Sequence, residues 1–339
     1  MTRDRHGRAL GSLRLSVTDR CNLRCSYCMP EEDYVWLPKR DLLDFDELAR
    51  VAGVFCGLGV EKLRLTGGEP LLRRDLPELV RMLRRVPGVR DLALTTNALL
   101  LPQLADELRR AGLDRITVSL DSLRPQRFEE LAGRARLGDT LAGIEAARAA
   151  GFPLKLNAVV MRGRNDDEVL ELLAYAEGIG AELRLIEYMD VGGATRWSED
   201  LVVPQRELLE RIAAARGALE PVGARGTAPA ERFRLASGAV FGVIASTTQP
   251  FCGDCDRARL TADGRLFTCL YAREGTDLRA PLRAGKSDAE LAALLAEVWG
   301  ARTDRGAEQR LRLARGRRPL ALAGELREDP HLEMHTRGG

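Results

Sequence analysis

Six short segments of this chain alternate apolar and polar residues with a period of two, and each hands over to an amphipathic stretch that closes near a glycine. The alternating segments cover 13–18, 62–66, 91–96, 115–120, 154–160 and 182–188, and the helical stretches include 45–58, 76–86, 103–111, 140–150, 166–179 and 205–215. Strands joined through helices must run parallel, because each right-handed crossover returns the chain in its original direction. A complete βα barrel takes eight units. Six are visible, so the expected fold class is α/β, an incomplete TIM-like βα barrel left open at its side. After Tyr188 the pattern gives way to short strands at 232–235 and 240–244, then a hairpin of 257–261 with 266–270, turned by Asp263-Gly264. The 339 residues are therefore expected to divide into 1–220, the barrel, and 221–339, an α+β extension.

The two faces of the alternating segments differ in a way a sealed barrel would not tolerate. Leu13, Leu15 and Val17 form one parity of the first segment, and Arg14, Ser16 and Thr18 the other. Later segments set Arg64, Thr95, Thr117, Ser119, Lys155, Asn157 and Arg184 on the polar parity. Barrel interiors are normally packed with branched apolar side chains, and burying Arg14, Arg64, Lys155 and Arg184 unpaired would cost several kcal/mol each. Either acids such as Asp121 and Glu187 pair with them, or they are exposed at a barrel rim, or an anionic ligand occupies the lumen. The need is local, since 52 Lys and Arg against 50 Asp and Glu leave a formal charge of +2. That balance argues against a nucleic-acid partner.

Composition removes other chemistries. The three histidines, His6, His331 and His335, lie near the ends of the chain, so a Ser-His-Asp triad, a Cys-His dyad or a His-Glu-x-x-His zinc helix has no His within the expected barrel. The first residues lack an apolar signal segment, and no run of about eighteen apolar residues could span a bilayer. A cytoplasmic protein with no membrane attachment is expected. In that reducing compartment seven Cys read as metal ligands rather than disulfides.

Cys21, Cys25 and Cys28 fall in one short loop after the first segment, where βα barrels carry their chemistry. Cys252, Cys255 and Cys269 form a second trio, folded together by the Asp263-Gly264 turn, while Cys56, alone in an apolar helix, reads as core. Iron–sulfur cubanes use Cys thiolates, usually four, so each trio would leave one iron open to a small molecule. Zinc, which prefers four closed ligands, is the alternative, chiefly for the second trio. Arg257 and Arg259 share one face of the hairpin, a guanidinium pair suited to phosphate or carboxylate.

The CxxxCxxC arrangement of Cys21, Cys25 and Cys28, with Tyr27 before the last, resembles the radical S-adenosylmethionine signature, and Thr66-Gly67-Gly68-Glu69-Pro70 resembles that superfamily's backbone site for the methionine amino group. The segments 37–39, 64–75, 157–163, 187–190 and 251–260 narrow the resemblance to the GTP 3′,8-cyclases of molybdenum cofactor biosynthesis, and it covers nearly the whole chain from about residue 10. It implies two [4Fe-4S] clusters, one on each trio, with S-adenosylmethionine bound at the first and aided by Tyr27, Gly68, Ser119 and Met189. It also implies that Arg14, Arg64, Thr95, Lys155, Arg257, Ala258 and Arg259 hold GTP, with its guanine edge on the second cluster. Arg184, Gly338 and Gly339 match positions of catalytic importance. The implied reaction removes the ribose 3′ hydrogen of GTP with a 5′-deoxyadenosyl radical, which becomes 5′-deoxyadenosine, joins the resulting carbon radical to guanine C8, and reduces the cyclised radical by one electron and a proton. The product is (8S)-3′,8-cyclo-7,8-dihydroguanosine 5′-triphosphate, the first intermediate of molybdopterin biosynthesis. The implied partners are an external one-electron reductant, a second copy in a homodimer, and a cyclic pyranopterin monophosphate synthase that takes the product. Asn97-Ala98 departs from the family, which commonly has Asn-Gly there.

Overall fold

The structure, a computed structural model, describes residues 2–313 and 317–338. The six expected strands are β1 (Ser12–Ser16), β2 (Lys62–Thr66), β3 (Asp91–Thr96), β4 (Arg115–Ser119), β5 (Leu154–Val160) and β6 (Glu182–Glu187). Between and after them run α1 (Phe45–Gly57), α2 (Leu76–Arg85), α3 (Leu101–Ala111), α4 (Pro125–Ala132), α5 (Leu137–Ala149), α6 (Val169–Gly178) and α7 (Gln205–Arg216). Local chemistry sets several of their ends. Asp44 caps α1 by accepting from the Glu47 amide while Glu47 reaches back to the Asp44 amide. Gly112, at a φ of +99°, ends α3 in a conformation that glycine adopts without penalty. The helix α4 was not expected; it fills the connection between β4 and α5.

The apolar parity meets the helices as the alternation requires. Leu13, Leu15, Leu63, Leu65, Leu94, Val118 and Leu185 are essentially unexposed and join one core with Leu48, Leu79, Leu83 and Leu108 of the helices. Each such side chain contributes about 1.5–3 kcal/mol on burial. Cys56 differs from expectation, standing half-buried beside Gly88 at the end of α1.

The sheet does not stop at six strands. It continues through β7 (Glu220–Pro221), β8 (Glu231–Arg234), β9 (Val240–Ile244), β10 (Arg257–Leu260), β11 (Arg265–Phe267) and β12 (Thr276–Asp277), in the order β12-β11-β10-β1-β2-β3-β4-β5-β6-β9-β8-β7. β10 lies parallel to β1 with Arg259 opposite Arg14, and β9 lies parallel to β6 with Gly242 opposite Arg184. Eight parallel strands thus stand in a row, the outer two supplied from beyond residue 220. The remaining helices are α8 (Arg279–Arg283), α9 (Asp288–Gly300), α10 (Gly306–Leu311), α11 (Ala323–Glu328) and α12 (Met334–Arg337). α12 is tied back to the β10–β11 hairpin: Arg337 lies 4.1 Å over the Phe267 ring and donates to the Leu270 carbonyl at 2.8 Å. His331 is held between Asp263 and Asp329 at 2.8 and 2.9 Å. Among the described residues no helix is long and apolar enough to cross a membrane.

Candidate active site

The polar parity of the parallel strands lines a cavity of about 750 Å³, and all six paired-up cysteines face it. Cys21, Cys25 and Cys28 follow the C-terminal end of β1. Cys252 and Cys255 precede the N-terminal end of β10, which runs parallel beside it. At ~3.3 Å per residue, the five residues of β1 set the two groups roughly 15–20 Å apart.

The first trio sits at the cavity wall, part-buried. Burial pushes the Cys21 thiol up to about 11 and holds Cys25 and Cys28 well above the usual thiol range. Thiols so placed ionise only when a cation replaces the lost water, which an iron–sulfur core does. Among the described residues no three His, Cys, Asp or Glu side chains are grouped closely enough to hold one metal ion. A cubane makes a different demand, one thiolate on each of three irons, and the trio's chemistry fits it.

Beside that trio the β2 loop passes unusually close to the β1 loop. A Cβ on Gly67 would overlap the Thr18 carbonyl, and one on Gly68 would overlap the Arg20 carbonyl. Only glycine leaves this backbone edge in place and open to a ligand. Glu69 fastens the edge from behind, accepting from Thr96 Oγ1, the Asn97 amide and the Leu71 amide at 2.7, 2.8 and 3.0 Å. Burial nonetheless raises its carboxyl to about 7. Tyr27 donates to Asp121 at 2.8 Å, and Asp121, raised to about 6 by burial, also accepts from the Val159 amide. Ser119 lines the cavity at the end of β4. Met189 does so too, but packs with Val191, Tyr271 and Ala307, alongside Cys252 and Cys269 of the second trio.

The second trio has a different electrostatic setting. Burial pushes the Cys255 thiol up, yet Arg257 and Arg302 outweigh it and bring the thiol down to about 7. Both guanidiniums stand 3.4 Å from its sulfur. Cys269 accepts from the Tyr271 amide at 3.4 Å.

Between the trios lies a basic wall. Arg64 donates to Thr95 and Thr117 hydroxyls at 3.0 and 3.2 Å, while Lys155 and Arg184 share Glu182 at 3.2 and 2.9 Å. The pairing acids foreseen from sequence were the wrong ones. Asp121 is taken by Tyr27, and Glu187 by the amides of Gln205, Thr247 and Thr248, because both lie where loops need acceptors. Among the described residues no carboxylate comes within ion-pair distance of Arg14, Arg64, Arg257 or Arg259. Burial and the neighbouring guanidiniums pull Arg14 and Arg64 well below their ordinary values, and burial with Arg184 nearby brings Lys155 to about 8. The lining carries nine Arg and Lys against five Asp and Glu. That surplus matches a triphosphate, roughly four negative charges. Asn157 Oδ1 and Arg257 Nη1, both buried, have no hydrogen-bond partner.

The Ala258 methyl is in the core among the helices, because its neighbours Arg257 and Arg259 take the cavity parity; only its peptide is left to meet a ligand. Gly338, at a φ of +67°, is buried, and its carbonyl accepts from Arg14 at 3.3 Å and Arg259 at 2.7 Å. Gly339 lies outside the described residues. Sequence reasoning missed Glu182, the Asp91–Arg115 pair, Arg225 and the tail residues Met334 and His335, all of which reach the site. The strand parity pointed to Glu182, Asp91 and Arg115, which share a face with Arg184, Thr95 and Thr117; nothing local pointed to Arg225, Met334 or His335.

Residues 15–176 match the Radical SAM superfamily and residues 181–308 match Molybdenum Cofactor Synthesis C. The solved structure of Streptococcus suis SuiB bound to S-adenosylmethionine shares the fold, with a TM-score of 0.63 at 16% identity over 90% of this chain and 68% of that one. Fold, glycine edge and cysteine loop together define a radical S-adenosylmethionine protein with a parallel-dominated α/β sheet. GTP 3′,8-cyclase 1 of Mycobacterium tuberculosis is 52% identical over 99% of this chain and 95% of its own length. The GTP 3′,8-cyclase of Acidothermus cellulolyticus is 49% identical over 98% and 95%. This chain belongs to the GTP 3′,8-cyclase family.

Proposed function

We propose that this chain cyclises GTP by removal of its ribose 3′ hydrogen, yielding the 3′,8-cyclo-7,8-dihydroguanosine triphosphate from which the molybdenum cofactor is built. The observation that carries the reading is one cavity with a cysteine trio at each end and guanidiniums without carboxylate partners between. Cys21, Cys25 and Cys28 would hold one [4Fe-4S] cluster, and Cys252, Cys255 and Cys269 a second. When bound, the first cluster with S-adenosylmethionine supplies the 5′-deoxyadenosyl radical that takes the hydrogen.

The protein's part is binding and exclusion. The Gly67-Gly68 edge, Tyr27, Ser119 and Met189 hold the cofactor's polar groups. Arg14, Arg64, Thr95, Lys155 and Arg259 meet the triphosphate, each charge-assisted contact contributing about 1.5–3 kcal/mol. Arg257 and the Ala258 peptide meet the nucleoside beside the second trio. Arg184 keeps Glu182 from drawing Lys155 away, and Gly338 closes the wall. A dry cavity keeps competing hydrogen donors out. The eight parallel strands form a partial TIM barrel, with 1–220 as its cofactor side and 221–339 as its substrate side. The same reading calls for a cytoplasmic homodimer, an external one-electron reductant, and a cyclic pyranopterin monophosphate synthase downstream.

The test is anaerobic reconstitution, then incubation with S-adenosylmethionine, reductant and GTP. GTP-dependent 5′-deoxyadenosine with an equivalent of cyclised product is expected. Cofactor cleavage that never consumes GTP would overturn the reading.

A further inference from the structure

Two buried arginines outside the basic wall grip the second cysteine trio. Arg302, just after α9, is 4% exposed. Its Nη1 donates to the Cys255 carbonyl at 2.8 Å and its Nη2 to the Cys255 sulfur at 3.4 Å, while its guanidinium rests 4.5 Å over the Trp299 ring. Arg8, from the N-terminal arm, is 5% exposed and donates Nη1 to the carbonyls of Cys252 and Asp304, both at 2.8 Å. Asp4 faces both arginines, accepting from Arg8 Nε at 2.6 Å and Arg302 Nη1 at 3.5 Å. The arm is folded by an antiparallel bridge between Arg3 and Ala9, and Trp299 Nε1 donates to the Arg8 carbonyl at 3.1 Å. Asp304 stands 3.6 Å from Arg302 Nε, but it is more exposed and also accepts from the Thr268 hydroxyl.

One buried carboxylate thus orients two buried guanidiniums, and each guanidinium takes hold of one cysteine backbone of the CxxC. Burying three charges is costly and seldom improves stability over apolar packing. Here the arrangement is spent at one place, the turn Cys252–Asp254 and the Cys255 that closes it, where no residue of the turn is fully buried. Arg8 Nη2 and Arg302 Nε remain without hydrogen-bond partners, so the cluster of charges is more donor-rich than its own pairing needs.

We propose that Asp4, Arg8 and Arg302 form a latch that positions the Cys252–Cys255 loop, and that Arg302 raises the reduction potential of a cluster held there. The second half rests on the two-cluster reading above. A cationic donor to a ligand sulfur stabilises the more negative, reduced form of a cluster. Arg302 and Arg8 are positioning residues: in this structure they contact ligand backbone and sulfur, not the cavity.

The experiment uses the full chain with Arg302→Gln, Arg302→Lys and Asp4→Asn. Hydrogen exchange across 252–256 is followed in the metal-free protein, with 21–28 as the internal reference. Exchange in 252–256 should quicken by ~10-fold or more in Arg302→Gln and Asp4→Asn while 21–28 is unchanged. In reconstituted protein, Arg302→Gln should shift the second cluster's midpoint potential downward and hasten its iron loss to a chelator. Arg302→Lys should recover the potential better than the chelator resistance, because it restores charge but not the two-pronged grip. Unchanged exchange in both Arg302→Gln and Asp4→Asn overturns the latch, and an unchanged potential in Arg302→Gln overturns the tuning. Wild-type protein that loads only about four irons would overturn the two-cluster reading instead, and the exchange data would still decide the latch.

Discussion

Replacing Gly338 by alanine asks whether the tail belongs to the site. At a φ of +67° an alanine pays about 1–2 kcal/mol for the left-handed conformation. Its Cβ would also overlap Thr66 Oγ1. Thr66 is 2% exposed on β2 and cannot retreat, so the tail must lift. Lifting breaks the hydrogen bonds from Arg14 and Arg259 to the Gly338 carbonyl, each contributing about 1.5–3 kcal/mol as a charged contact. The two together are about 3–6 kcal/mol, which lowers the population of the docked tail by ~10²–10⁴. The assay is product formation from 3′-deuterated GTP with deuterium transfer into 5′-deoxyadenosine. Gly338→Ala should lose cyclisation by ~100-fold or more with iron content and melting temperature unchanged, and Thr66→Ala in the same chain should restore part of it. Wild-type turnover and transfer in the single variant would refute the reasoning.

Anaerobic reconstitution should load about eight irons per chain, four on each trio; one zinc with four irons would remove the second cluster from the account. Arg257→Ala with Arg259→Ala should weaken GTP binding and cyclisation while uncoupled cleavage of S-adenosylmethionine persists, and lost cleavage with intact GTP binding would reverse the assignment. Burial opposes charge on His331, yet Asp263 and Asp329 prevail and hold its pKa above the ordinary 6.5. A raised folded value means its anchoring is complete below pH about 6.5 and is lost as pH rises on through the higher folded value. Asp263, held below 3.8 mainly by His331 against the cost of burial, keeps its share above about pH 4 and loses it only in stronger acid. Protection factors over 329–338 should therefore fall on the alkaline side, with the slope absent in His331→Asn. A flat profile in the unaltered chain would count against the anchor.

How far the sequence could be read depended on whether the controlling contact was local. The ends of β2, β3 and β5 follow directly from alternation, since Leu63, Leu94 and Leu156 must face helices while Arg64, Thr95 and Lys155 must not. The same parity places Ala258 in the core, although its resemblance to a ligand-contacting position had marked it for the site. α4 was legible but passed over: it is only eight residues long, yet it carries Pro125 at its first position, Phe128, Leu131 and Ala132 on one face, and Gly133 at its end. The pairing of β10 with β1 leaves no local periodicity to detect. Ala98 is intermediate: the Asn97-Ala98 departure was visible, but only the backbone explains it, with a φ of +70° and a methyl packed against Gly143. A glycine there would avoid about 1–2 kcal/mol of strain, which accounts for the family's usual choice.

The pairing of β10 with β1 also governs how the chain must be made. β1 leaves the ribosome early, but the strand that covers its outer edge begins about 245 residues later, so at ~5–20 residues per second that edge waits on the order of 10–50 s. β6 has its own uncovered edge for a shorter time, since β9 begins about 58 residues after it, on the order of 3–12 s. An exposed edge of parallel, apolar-backed strand is a template for pairing with another chain. The nascent protein therefore needs protection through most of its synthesis, and a fragment ending near residue 220 should aggregate rather than persist as half an enzyme.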